Sequence, residues 1–442
     1  MEQALNILTT VFYFVVTIGI LVFVHEFGHF AAAKLTGMRV DRFSIGFPPR
    51  AFGKKVGDTD YCVSWIPIGG YVKIAGMIDE SFDTHFLASE PMPWEFRSKP
   101  MPSRMFVILA GVMMNVILAI LIFWGINFVY GKYLRQTTEI GFISHGSAAE
   151  KLGLEPGDRV VTIDGKPVTH WDEILSLAYL NNIASDISIE VDRNGALETL
   201  HAPRASVPDP SVKPFGILPK YTAAVVHGVE PGRPAEILGL QPGDTIVALN
   251  DTLVFTDSRV VQIVQASTGK ELKVEWKRGS ERFSGMTSPA EDGRIGISIG
   301  SSYTGPVRHE EYSLFEALPE GIEDITAASS LFMRSIWQII TGKVPLSASV
   351  GGPIRIAQIA TQSAEVGIGS FLGFMALLSM SLAILNLLPF PALDGGHLMF
   401  LAYEAVFRRE IPHRVKLALQ QAGFFLLLAF MAFVIYNDIA NF

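Results

Sequence analysis

The chain has 442 residues, with 35 Lys+Arg against 43 Asp+Glu and a formal charge of −8, which argues against nucleic acid as its main partner. Only 18% of the residues are charged and the mean hydropathy is +0.34, whereas a soluble globular chain carries about 25% charged residues, so part of this protein belongs in lipid. A single cysteine, Cys62, excludes an intramolecular disulfide and a Cys-based zinc site, leaving His and carboxylates for any metal.

Four uncharged apolar stretches, at about 4–24, 105–129, 366–390 and 417–437, are long enough to cross a hydrocarbon core that takes about 20 helical residues. The first lacks a basic leading segment and a small-residue cleavage site, so it reads as a retained helix rather than a signal peptide. Lys and Arg collect between spans one and two (Lys34, Arg39, Arg50, Lys54, Lys73) and between spans three and four (Arg408, Arg409, Arg414), and both chain ends lack them. The positive-inside rule then puts both termini, and the long segment between spans two and three, on the outer side.

At the inner end of span one stands His25-Glu26-Phe27-Gly28-His29. Histidines at i and i+4 share one helical face and suit two imidazole ligands to one zinc, while the adjacent Glu26 is placed to take a proton from the attacking water. The alternative, interfacial residues that merely end the span, leaves three ionisable groups at a costly depth.

Between spans one and two, about 40–77, the sequence is β-prone and carries Gly69-Gly70-Tyr71, where the glycine pair permits close backbone approach. An exposed strand edge there would hold a substrate extended for attack at Gly69, Gly70 and Tyr71; the alternative is a solvated hairpin. In span two, Asn115 lies in lipid and is expected to bond a neighbouring helix.

The segment after span two contains an internal repeat. Ser147-Ala148-Ala149-Glu150-Lys151-Leu152-Gly153-Leu154-Glu155-Pro156-Gly157-Asp158 recurs as Arg233-Pro234-Ala235-Glu236-Ile237-Leu238-Gly239-Leu240-Gln241-Pro242-Gly243-Asp244. Each copy reads as a short helix, a Gly-Leu-x-Pro-Gly-Asp turn and an apolar strand, and resembles a bacterial protease-type PDZ domain. Expected limits are 131–210 and 211–305. The resemblance implies a carboxylate-binding loop at Phe215-Gly216-Ile217 in the second copy and at Ile140-Gly141-Phe142 in the first, unless the domains are spacers that bind no peptide. Residues 306–365 carry a helical apolar spacing through Leu314, Leu318, Ile322 and Ile325, expected to lie on the outer membrane surface or against the PDZ-like pair.

A catalytic zinc takes three protein ligands, and the third candidate is Asp394, in Asn386-Leu387-Leu388-Pro389-Phe390-Pro391-Ala392-Leu393-Asp394-Gly395-Gly396 at the inward end of span three. The prolines stop a regular helix and the glycines permit a sharp turn, so the carboxylate is presented from an unwound end. Its alternative is a solvated Asp in a helix-ending turn, and His397 reads as structural.

Taken together, these motifs in this order resemble the site-2 protease family of intramembrane zinc metalloproteases, in its form with two PDZ domains, over the whole chain. The fold expected is a multi-pass α-helical membrane protein with four transmembrane helices, an inserted pair of α+β PDZ-like domains and a short membrane-associated β element. The membrane core would comprise 1–130 and 366–442. The resemblance implies one Zn2+ per chain held by His25, His29 and Asp394, Glu26 as the base activating water, and Asn386 hydrogen-bonding the substrate or its tetrahedral intermediate. It also implies substrates that are single-span membrane proteins first cut outside, such as a trimmed anti-sigma factor, or remnant signal peptides. The location implied is a bacterial inner membrane, with the zinc site near the cytoplasmic side. Ala110-Gly111-Val112 departs from the Ala-Gly-Pro of many relatives, which weakens any inference about a kink in span two. Two competitors are a scaffold with a vestigial metal site, disfavoured by the intact Glu26, and a metal transporter, disfavoured because the outer halves of spans one and three are nearly free of polar groups.

Overall fold

The computed structural model describes residues 2–77, 90–176, 186–202, 215–346 and 351–440. It divides into a membrane unit, Met1–Gly131 with Glu311–Phe442, and a second unit, Lys132–Glu310. Among the described residues, four helices are long and apolar enough to cross a membrane. The first, α1 (Glu2–Leu35), does not stop at the expected limit near residue 24. At 1.5 Å per residue it is about 50 Å long, so the His-Glu motif lies within a continuous helix rather than at its end.

After α1 come β1 (Val40–Val56) and β2 (Thr59–Ile74), each bent back on itself. Ser44 pairs with Tyr71 on one side and Cys62 on the other, and Gly53 pairs with Cys62. The arms therefore run in the order 70–74, 40–45, 59–63, 50–56, which leaves 70–74 as an outer arm among the described residues. The second span helix, α2 (Met101–Tyr130), has Pro at its start, where a missing amide donor costs nothing.

In the second unit β3 (Lys132–Arg135) leads into two copies of one plan. The first copy is β4 (Ile140–Ile143), α3 (Ala148–Lys151), β5 (Arg159–Ile163), β6 (Lys166–Pro167), α4 (Trp171–Ser176), β7 (Ile187–Arg193), β8 (Ala196–Ala202) and β9 (Ile217–Pro219). The second is β10 (Thr222–Val229), α5 (Pro234–Leu238), β11 (Thr245–Leu249), β12 (Thr252–Leu253), α6 (Asp257–Ala266), β13 (Leu272–Arg278), β14 (Glu281–Thr287) and β15 (Ile297–Tyr303). Then β16 (Val307–Glu310) returns to pair with β3. Each copy has its own core, around Trp171 and Val191 in the first and Leu249 and Trp276 in the second.

Phe215-Gly216-Ile217 belongs to the first copy, not the second. Phe215 and Ile217 sit in the first core, and the Phe215 carbonyl accepts from Ala149 N at 3.1 Å. The counterpart in the second copy is Ile295-Gly296-Ile297, whose Ile295 carbonyl accepts from Ala235 N at 2.8 Å. Gly216 and Gly296 both hold left-handed φ, 95° and 81°. The closing strand of each copy follows its two long hairpin strands, so the first copy extends past residue 210 to Pro219. Ile140-Gly141-Phe142 is the strand that pairs with β9.

The Asp of each Gly-Leu-x-Pro-Gly-Asp turn is a buried anchor. Asp158 accepts from Glu155 N at 2.8 Å and from Arg193 Nε and Nη2 at 2.7 Å each, while Arg193 Nη2 also donates to the Gly153 carbonyl. Asp244, Arg278 and Gly239 repeat this fork in the second copy. Burial opposes the Asp158 charge, but the Arg193 fork outweighs it and holds the carboxyl below its ordinary value. A depressed carboxylate pKa gives stability that is present above the unfolded value near ~4 and lost as pH falls through the folded one. Arg193→Met should cost about 3 kcal/mol at pH 7 and flatten this acid dependence, as read by hydrogen exchange across β5 and β7. An unchanged acid profile would refute the assignment.

The membrane unit resumes with α7 (Ala317–Ile340) and α8 (Pro353–Val366). Within 306–365, α7 packs on α2. Trp124 Nε1 donates to the Leu314 carbonyl, Asn127 Nδ2 donates to Asp324 Oδ2 at 2.7 Å, and Gly321 lies against the Trp124 backbone. The buried stripe is Ala317, Gly321 and Ile325, while Ile322 faces outward. Small residues win at that crossing because they let the two backbones approach. The third and fourth spans are α9 (Ile368–Leu387) and α11 (His413–Ala440), separated by α10 (Asp394–Phe407). One end of α11 is tied by Lys416 to Glu404, and the other by Asp438, which accepts from the Gly352, Ile354 and Arg355 amides at the start of α8.

Candidate active site

One helical turn separates His25 from His29 on α1, and both imidazoles face α2 and the start of α10. The chain leaves α9 at Leu387, and in the following loop Ala392 holds φ 86°. A residue with a Cβ occupies that region at a cost of about 1–2 kcal/mol. Leu393 then caps α10, and Asp394 is its first helical residue, where the helix dipole favours a carboxylate.

The structure brings His25, His29 and Asp394 together. His25 Nε2 lies 3.2 Å from Asp394 Oδ2, His29 Nε2 lies 3.4 Å from the same oxygen, and the two Nε2 atoms are 3.2 Å apart. A tetrahedral ion with bonds of about 2.0–2.1 Å spaces its ligands about 3.3–3.4 Å apart, so these three separations form one face of such a tetrahedron. Asp394 Oδ2 is buried without a hydrogen-bond partner. A lone buried carboxylate oxygen between two imidazole nitrogens fits a cation. Among the described residues this is the one His/Cys/Asp/Glu group of metal-holding geometry. His29 Nδ1 donates to the Val107 carbonyl at 2.8 Å, which leaves the Nε2 lone pair aimed into the site.

Glu26 lines the same cavity of about 60 Å³, with Val72, Ile74, Val107, Leu393 and His397. That space takes an ion and a few waters, each water needing about 10–15 Å³. Gly70 lies directly against Glu26: a Cβ there would stand 3.1 Å from Glu26 Cγ and 2.9 Å from the Ser44 carbonyl. Along the edge arm the period of two puts Gly70, Val72 and Ile74 on one face. Tyr71 falls on the other, buried, with its hydroxyl accepting from Arg42 Nη1 at 2.7 Å. The side chain of Tyr71, expected to meet substrate, is thus turned away from the cavity that Val72 and Ile74 line. Gly69, with φ 100°, makes the bend that enters the edge. Asn386 Nδ2 stands 3.5 Å from His25 Nε2, at the margin of the site.

Gly111 is the residue that sequence reasoning passed over. A Cβ on Gly111 would lie 2.3 Å from His29 Nε2, so the α2 surface is hollow where the imidazole sits. Gly28, between the two histidines, lies as closely on the Ala110 carbonyl. The signal available in the sequence was the pair of small residues on the facing helices.

Similarity to known proteins agrees with this geometry. Over residues 13–430 the sequence matches peptidase family M50. It is 33% identical to a regulator of sigma E protease of Haemophilus influenzae, covering 96% of this chain and 97% of that one. It is 31% identical to the regulator of sigma-E protease RseP of Escherichia coli, covering 97% and 98%. It is 32% identical to the protease RseP of Yersinia pestis, covering 99% and 100%. A solved PDZ domain of an SdrC-like protein from Listeria monocytogenes matches 18% of this chain and 90% of that one, at 21% identity and a TM-score of 0.17. With nearly its whole length matched, and with a His-Glu motif and an aspartate assembled at one point, the chain belongs to peptidase family M50, metalloproteases of the site-2 protease type.

Proposed function

We propose that the protein is an intramembrane zinc endopeptidase that cuts the membrane-spanning segment of single-span proteins after a first cut outside, in the manner of sigma-E regulation. The observation that carries this reading is the three-atom face of His25, His29 and Asp394 beside Glu26 and Gly70. His25, His29 and Asp394 would hold one Zn2+ per chain. Zinc, when bound, supplies a Lewis acid that lowers the pKa of water toward ~7 and polarises a carbonyl. Glu26 takes the proton of the attacking water and returns it to the leaving amide nitrogen. The edge arm 70–74 receives the unwound substrate as an added strand, which exposes the carbonyl that a helix hides. Asn386 donates to the substrate carbonyl region from the margin of the site.

The distribution of Lys and Arg supports an inner-membrane protein with its termini and PDZ-like pair outside, and with the zinc site toward the cytoplasm. In this arrangement the pair screens substrates by what remains of their outer domain. The test is cleavage of single-span substrates with short or bulky outer domains by purified, zinc-quantified protein, with and without a chelator. Zinc-dependent cutting of the short substrates alone is expected. Cutting that survives complete removal of zinc would overturn the proposal, and equal cutting of both substrates would overturn the screening role.

A further inference from the structure

The two histidines meet α2 in the same way, and one of the two meetings is incomplete. His29 Nδ1 faces an acceptor, the Val107 carbonyl. Two turns further along α2, His25 Nδ1 faces the side-chain amide of Asn115 at 3.3 Å. As placed, the amide presents Nδ2 to the imidazole, and Asn115 Oδ1 is buried without a partner. An amide that donates to Nδ1 forces the proton onto His25 Nε2, which points at Asp394 Oδ2. That tautomer has no lone pair for an ion. With the amide turned by 180°, Oδ1 meets Nδ1–H as its acceptor and Nε2 keeps its lone pair.

Building on the zinc reading above, we propose that Asn115 is a positioning residue: its Oδ1 accepts the proton of His25 Nδ1 and so fixes the tautomer in which His25 binds metal. Asn115 is wholly buried, and its own carbonyl accepts from Ser379 on α9 at 2.9 Å, so backbone and side chain are both held. A ligand imidazole ordinarily donates its second N–H to such an acceptor, and loss of that acceptor typically lowers metal affinity 10–100-fold. Gly111, four residues before Asn115, hollows α2 for His29, so one face of α2 serves both imidazoles.

The experiment compares full-length wild type, Asn115→Leu, Asn115→Asp and His25→Ala by zinc competition against a chelating dye. The absorption spectrum of the cobalt-loaded form and the melting temperature of the chelated form are read alongside. Asp can only accept, Leu can do neither. Asn115→Leu is expected to bind zinc about 10–100-fold more weakly with an altered cobalt spectrum, and Asn115→Asp to stay within about threefold of wild type. A role in helix packing alone would move the melting temperature and leave affinity and spectrum unchanged. A folded Asn115→Leu protein that binds within about threefold of wild type overturns the proposal, as does an Asp variant as weak as Leu; should Leu fail to fold, the Asp variant decides. Zinc uptake unchanged in His25→Ala would overturn the metal reading itself, independently of position 115.

Discussion

Glu26→Gln is expected to slow peptide cleavage by orders of magnitude while leaving zinc in place. The amide has the size of the carboxylate and the same contact with Gly70, so neither α1 nor the edge arm need shift. What would be lost is the proposed base: a glutamine cannot take the proton of the attacking water or return one to the leaving nitrogen. General acid–base catalysis is worth about 10²–10⁴ in rate, so single-turnover cleavage at saturating substrate should fall by that factor. Zinc per chain should remain that of the wild type. Cleavage within tenfold of wild type would remove Glu26 from the mechanism, and a variant without zinc would make it a ligand instead.

Gly111→Ala should be nearly as damaging although the residue bears no chemistry. The added methyl would stand 2.3 Å from His29 Nε2 and 2.7 Å from its Cε1, closer than such atoms approach, so the imidazole must leave its place or α2 must part from α1. Displacing a reacting group by about 1 Å costs on the order of 10² in rate, and here the displaced group is a proposed ligand atom, so zinc content should fall as well. Gly125→Ala is the internal control. It lies on the same helix with open space where its Cβ would go, and should retain both zinc and activity. Equal behaviour of the two variants would mean that the hollow at 111 is not what seats His29.

The spans are legible in the sequence because lipid imposes a length and an absence of charge that few other environments impose. His25, Glu26 and His29 are legible because a helix fixes their relation locally, and Asp394 because prolines and glycines mark a broken helix beside it. What lies between helices is not legible. Whether Asn115 meets His25 or some other side chain depends on the rotation of α2 against α1, which no local pattern encodes. The same holds for α7, whose conspicuous apolar residue Ile322 faces outward while Gly321 makes the contact. In the second unit the repeated turn is plain, yet Phe215-Gly216-Ile217 is easily assigned to the copy it precedes. It closes the copy it follows, as its pairing with β4 and its place in the first core show.

The span of chain that separates the parts of the site carries a consequence for biogenesis. Asn386 stands 361 residues after His25, with Asp394 later still, and the whole second unit is made in between. At about 5–20 residues per second, roughly 20–70 s pass between synthesis of the His-Glu motif and synthesis of its acidic partner. Through that interval α1 and α2 can already seat the two imidazoles against each other. The proposed third ligand does not yet exist, so a nascent chain resident among other freshly inserted helices is expected to be inactive until Asp394 has been made.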